Sequence, residues 1–225
     1  MEIQFLGHAA LYIKTLTHNI LVDPFISGNP KANSINIKDL KPDVILLTHA
    51  HQDHTLDVEK IAKANDSLIV SNFEIVSYFQ SKGLNGHPMN HGGKWNFDFG
   101  QLKYVNAIHT SSFPDGSYGG HPGGFVLLAE NKIIYIAGDT ALTYDMKLIA
   151  REFKLDLAIL PIGDNFTMGV DDAIVASDFV ECNRILGYHF DTFGFIEINH
   201  KETQEKFSSK GKDLILLEPG MSIAV

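Results

Sequence analysis

The stretch DVILLTHAHQDH, Asp43 to His54, decides how this chain is read. After Asp43 comes an unbroken apolar run to Leu47. Such a run reads as a strand buried on both faces. The polar half, Thr48 to His54, follows directly and leads into a helix. In extended backbone, residues two apart point the same way. His49 and His51 can therefore reach one ion, while Asp53 and His54, at the turn into the helix, can address a second. Imidazole and carboxylate are ordinary zinc donors, and a catalytic site keeps a position open for water. A solvated polar loop is the plain alternative. The strand–loop–helix context favours the ligand reading.

Working outward, the N-terminal side reads as strands Glu2–Leu6, Leu11–Lys14 and Asn19–Val22, followed by an irregular loop over 27–42. On the C-terminal side, Thr55 is the expected cap of a helix running to about Ala64, with Asp57 and Glu59 in its first turn. Leu68–Val70 is a short strand, and a helix spans Phe73–Lys82. The middle turns β-rich: Lys94–Phe99, Gln101–Ile108, Gly124–Ala129 and Lys132–Ile136, the last two joined by Glu130-Asn131. Then come a helix Leu142–Phe153, strand Leu157–Leu160, helix Asp171–Cys182, strand Arg184–Gly187, helix Glu202–Ser208 and strand Leu214–Leu217. This two-half order suggests two packed sheets with helices outside, one domain over 1–225.

Composition bounds the function. The chain is 44% apolar and 20% charged, which is ordinary for a globular domain. Its formal net charge of −9, without a Lys/Arg block, disfavours nucleic acid and anionic membrane surfaces. A small-molecule substrate is the expected partner, and homo-oligomer formation is left open. Cys182 is the only cysteine, so no disulfide and no thiolate cluster is available. No secretory signal and no run of membrane-spanning length is legible, so the expected compartment is the cytoplasm. Histidine is the unusual residue type, with 11 copies, several of them clustered.

The His49-Ala50-His51-Gln52-Asp53-His54 motif resembles that of the metallo-β-lactamase superfamily. The resemblance implies an α+β fold, an αβ/βα four-layer sandwich with a metal site at one edge. It also implies where the remaining ligands lie. The family's third histidine follows a downstream strand, here His109 after QLKYVNAI. The bridging acid closes a Gly-Asp-Thr motif, here Asp139 in Gly138-Asp139-Thr140. The last histidine ends a late strand, here His189. Taken singly, a strand-end histidine is more often structural, and Asp139 could be a helix-capping acid. Their shared position at the ends of buried strands, which can converge on one site, strengthens all three.

Departures from the family narrow the reading. Asp139 stands where cysteine-containing lactamases place a thiolate, and Cys182 matches no ligand motif. The flavodiiron branch has Glu where this chain has His51, which disfavours oxygen reduction. No insert of the kind expected in a tRNA-processing nuclease is evident. Gly7-His8-Ala9, Leu21–Phe25, Gly28-Asn29-Pro30, Pro161–Asp164, Thr167–Gly169 and Gly187–Thr192 look closest to small hydrolases related to ascorbate-6-phosphate lactonase. The implied function is hydrolysis of a small ester, lactone or phosphoester by a metal-activated water. Two divalent ions are implied, Zn2+ first, with Mn2+, Fe2+ or Ni2+ also suited to these donors. Asp53 is the expected proton-handling residue. A phosphodiesterase or phospholipase-like hydrolase and a non-catalytic metal-binding sensor are the alternatives. Asp23, before Pro24, is either a support for a ligand histidine or a turn acid. His8 lies either near the pocket or, the favoured reading, at the surface; His18 and His200 are expected at the surface. His87, His91 and His121 are expected in solvated loops, with shaping of a substrate loop as the alternative. Asp164 either accepts a bond from a ligand or forms a turn. The glycine-rich segments Gly119–Gly124 and Gly163–Gly169 should border the pocket with free backbone donors.

Overall fold

A computed structural model describes all residues, Met1–Val225. The first sheet holds β1 (Glu2–Gly7), β2 (Ala10–Lys14), β3 (Asn19–Val22), β4 (Val44–Leu46), β5 (Leu68–Asn72) and β6 (Gly86–Met89). The second holds β7 (Lys94–Phe97), β8 (Gly100–Asn106), β9 (Gly123–Ala129), β10 (Lys132–Ile136), β11 (Leu157–Pro161), β12 (Arg184–Tyr188) and β13 (Asp213–Ile215). The last strand, β14 (Ser222–Ala224), returns to pair with β1. Each sheet is seven-stranded, in the orders β14-β1-β2-β3-β4-β5-β6 and β13-β12-β11-β10-β9-β8-β7.

Both sheets switch from antiparallel to parallel pairing, at β3 and at β10. Parallel neighbours need a crossover connection. In the first half residues 23–43 join β3 to β4 without an α-helix, α1 (Gln52–Thr55) and α2 (Val58–Asn65) join β4 to β5, and α3 (Phe73–Ser81) joins β5 to β6. Helices α4 (Met146–Glu152), α5 (Val170–Phe179) and α6 (His200–Ser209) supply the crossovers in the second.

Strand side chains alternate between two faces, and the burial follows that period. Ile3, Leu11, Val22, Val44 and Leu46 pack against Leu102, Phe125, Leu127, Ile136 and Ile159 between the sheets. The alternate residues Leu21, Ile45 and Ile69 pack against Ile61 and Phe79 of α2 and α3. Tyr135, Ala158 and Ile185 likewise meet Ile149, Ile174 and Phe207 of α4, α5 and α6. Three apolar interfaces thus separate four layers, helix–sheet–sheet–helix, as the α+β sandwich requires. No helix is long and apolar enough to cross a membrane.

Two helix starts differ from the sequence expectation. Thr55 lies inside α1 and donates its hydroxyl to His51 O at 3.0 Å, while the longer helix begins at Val58. The Asp57 carboxylate, buried, is drawn away to Ile26 N and Ser27 N at 2.7 and 2.8 Å, pinning the loop that follows β3. The helix expected from Leu142 starts at Met146, because Ala141 N is bonded to Ile108 O and Asp145 to Asn106.

Candidate metal centre

The strands deliver their polar ends to one place. β4 ends at Leu46, the chain bends at Thr48, and His51 is extended (φ −61°, ψ 150°) just before α1 begins. His49 and His51 therefore project together, with His49 Nε2 and His51 Nδ1 3.0 Å apart. The loop after β8 brings His109 to them, and the donor atoms of all three lie within 4.8 Å of one another. Asp53, His54 and His189 fall in a second such group. Asp139, after β10, lies between the two. Its Oδ2 is 3.9 Å from His49 Nε2, 3.4 Å from His54 Nε2, 3.7 Å from His109 Nε2 and 3.0 Å from His189 Nε2. All seven residues singled out in the sequence are thus brought together.

Neighbouring side chains fix the rings. Asp23, fully buried with φ +43°, accepts from His54 Nδ1 at 2.9 Å and from Thr48 N and Oγ1 at 2.9 and 2.7 Å. This engages Nδ1 and turns the His54 Nε2 towards the centre. Thr48 Oγ1 also lies 3.0 Å from His49 Nδ1. Of the two readings of Asp23, support for a histidine is the one the contacts bear out.

The second half holds its residues by close backbone approach. A Cβ on Gly163 would lie 2.1 Å from His189 O, and one on Gly119 2.2 Å from Ala50 Cβ. The N–H groups of Gly119, Gly123 and Met168 are spent on Ser111 O, Thr48 O and Thr140 O. Both glycine-rich segments therefore lie against the loops carrying the site residues. Those three donors, however, fix the loops and are not free for substrate. Gly163→Ala should cost about 1–3 kcal/mol, the usual range for overpacking, because the atom it meets is backbone. Urea unfolding of the chelated protein reads that loss.

The seven residues fit a metal. His54 Nε2, Asp139 Oδ1 and both ring nitrogens of His189 are buried without hydrogen-bond partners. Buried polar atoms are seldom left so. His189 Nε2 approaches Asp139 Oδ2 to 3.0 Å yet is not aligned as a hydrogen bond. Donor atoms that close and unaligned suit a shared cation. Asp53 is the carboxylate facing solvent, its side chain 31% exposed against 3% for Asp139. The centre thus opens along Asp53, His51 and His109.

Protonation follows from burial and charge. Burial alone would hold His54 neutral, but the Asp139 and Asp23 carboxylates outweigh it and raise its pKa well above the ordinary value of 6.5. Burial also works against ionised Asp139, and the neighbouring His189 and His54 overcome it, holding that carboxyl well below 3.8. Burial pushes His49 well below the usual range, and lowers His51 and His109.

A stabilising effect from His54 is fully present below pH 6.5 and is lost as pH rises through its raised folded value. That from Asp139 is present above pH 3.8 and is lost as pH falls through its depressed value. At neutral pH the metal-free chain therefore holds an imidazolium at His54 that must deprotonate before Nε2 can bind a cation. Zinc uptake should release about one proton, and apparent affinity should rise roughly tenfold per pH unit. Calorimetry in buffers of differing ionisation enthalpy measures this.

Sequence reading misplaced several residues. For His8 the favoured surface reading gives way to the alternative near the pocket: it is 1% exposed and joins Asp53, His54 and His189. The signal was available, since Gly7-His8 also closes a buried strand, but its cover, Thr192 and Phe193, lies far along the chain. His87 is not in a loop; it sits in β6 against Trp95 and Phe97. His91 is bonded to Pro122 O at 2.9 Å, and only His121 is exposed as expected. His18 and His200 lie partly exposed at the surface, as read, the latter with Nε2 2.5 Å from Asp191 Oδ2. Asp164 forms a turn, bonding Asn165 N at φ +63°.

Known proteins share this architecture and sequence. A family model described as a beta-lactamase superfamily domain matches residues 2–189. A UPF0173 metal-dependent hydrolase of Flavobacterium johnsoniae is 69% identical over 223 residues, 99% of each chain. One from Christiangramia forsetii is 63% identical over 224 residues, again 99% of each. The solved structure of Igni18, a metallo hydrolase from Ignicoccus hospitalis, superposes with a TM-score of 0.89 at 28% identity, covering 99% of this chain and 97% of that one. These matches establish the superfamily and its metal dependence, whereas the lactonase likeness rests on the finer motifs alone. With a family model over most of its length and relatives this similar from end to end, the chain belongs to the metallo-β-lactamase superfamily, as one of its metal-dependent hydrolases.

Proposed function

We propose that this hydrolase holds two divalent ions, zinc first, and cleaves a small ester, lactone or phosphoester. The observation that carries the proposal is the position of Asp139 Oδ2 among four histidine ring nitrogens, at 3.0 to 3.9 Å. A carboxylate so placed can serve two cations at once. His49, His51 and His109 would hold one ion; Asp53, His54 and His189 the other, with Asp139 shared. When bound, such ions supply Lewis acidity and lower the pKa of water towards neutrality.

The chain's own residues supply the rest. Burial works against ionised Asp53, but the His8 hydrogen bond and the His54 charge outweigh it and hold its pKa below the carboxylate range. Asp53 is then ionised at neutral pH and partly open to solvent, placed to take a proton from an attacking water and pass it to a leaving group. Asp23 and Thr48 orient their histidines and keep them from turning as charge develops. The lactonase-like motifs and the exposed edge of the centre favour a compact polar substrate.

The test is a screen of metal-reconstituted protein on acyl and phosphoryl panels, with a chelated control. Turnover of an ester, lactone or phosphoester that chelation abolishes and zinc restores is expected. Full metal loading with no turnover across both panels would contradict the proposal and favour a metal-binding sensor.

A further inference from the structure

His8 stands outside the motifs that select the seven site residues, yet it touches a donor delivered by each of the two sheets. Its Nε2 lies 3.1 Å from Asp53 Oδ2, and its Nδ1 lies 2.9 Å from Thr192 Oγ1. An ionised carboxylate can only accept, so Nε2 carries the hydrogen and Nδ1 accepts from the Thr192 hydroxyl. The other acceptor for that hydroxyl, Phe190 O, is farther, at 3.4 Å. Both ring nitrogens are thus engaged, which leaves His8 no lone pair for a metal.

The main chain adds a second hold. His8 O accepts from His189 N at 2.7 Å, and the two rings lie 4.1 Å apart between centroids. Both residues take left-handed backbone, φ +57° and +56°. Non-glycine residues persist in that region where the surroundings over-determine them. Phe25 and Phe193 wall the ring at 5.6 and 5.4 Å, and a hydrogen bond is stronger when water is kept from it.

We propose that His8 is the positioning residue of the second metal position, aiming the Asp53 carboxylate with its ring and fixing His189 with its carbonyl. This rests on the dinuclear reading above. Asp53 stands in α1, which follows β4 of the first sheet, and His189 follows β12 of the second, so one turn after β1 sets a donor from each.

Titration of the metal-free protein with Co2+, followed by visible absorption and metal content, tests it without any substrate. The variants are His8→Ala, His8→Gln and Thr192→Val. Ala and Gln bear the same left-handed backbone strain, so their difference reports the hydrogen bond to Asp53. The first Co2+ should bind as in the parent. The second should weaken about 10- to 100-fold in His8→Ala, recover most of that affinity in His8→Gln, whose amide can donate to Asp53, and fall between in Thr192→Val. Unchanged second affinity in His8→Ala, or equal losses in Ala and Gln, would overturn the proposal. Should His8→Ala fail to fold, Thr192→Val decides, since undiminished second affinity there contradicts it. A parent protein that takes up only one Co2+ would instead overturn the dinuclear reading, and the proposal with it.

Discussion

Asp53→Ala should lose about 100-fold or more in turnover while keeping at least one metal per chain. Removing a group that handles a proton in the rate-limiting step commonly has an effect of that size. The first group, His49, His51 and His109, is untouched by the change, so one ion can stay. The second group loses its solvent-facing carboxylate, and His8 Nε2 loses its acceptor. Turnover on a substrate found by screening is measured together with metal content and circular dichroism. An Asp53→Ala protein with parental turnover would refute the assigned role.

Asp139→Asn should be the most damaging single change to the centre. The amide keeps the shape but removes the charge shared by His54 and His189. In the chelated protein, taking one partner from a buried ion pair costs about 3 kcal/mol or more. Asp23 still faces His54 and limits the loss. In the loaded protein both ion positions lose a donor, so metal content should fall for both. Urea unfolding and elemental analysis read the two effects separately. A stable variant with full metal content would show that Asp139 is not the shared carboxylate.

Much of this was legible in the sequence because the signals were local. The apolar run before Thr48 marks β4 as central, and the alternation after it sets both histidines on one side. His109, Asp139 and His189 were placed by family resemblance, and the fold then brings their strand ends to the same edge. What was not legible depends on distant partners. The Gly86–Met89 segment contains Gly and Pro and lacks strand propensity, yet it becomes β6 because it can pair with β5 at a sheet edge. The Ser222–Ala224 strand exists because β1 offers it an edge at the opposite end of the chain. Asp57 looked like a first-turn acid but latches a loop near residue 26. His8 looked free because Thr192 and Asp53, its partners, are brought to it only by the packed sandwich.

The most direct test of the two-ion centre is a crystal structure of the zinc-loaded protein with anomalous data at the zinc edge. Two zinc peaks are predicted, one bonded to His49, His51 and His109, the other to Asp53, His54 and His189, with Asp139 reaching both. A single peak, or a loaded structure in which His109 or His189 turns away from the metal, would contradict it.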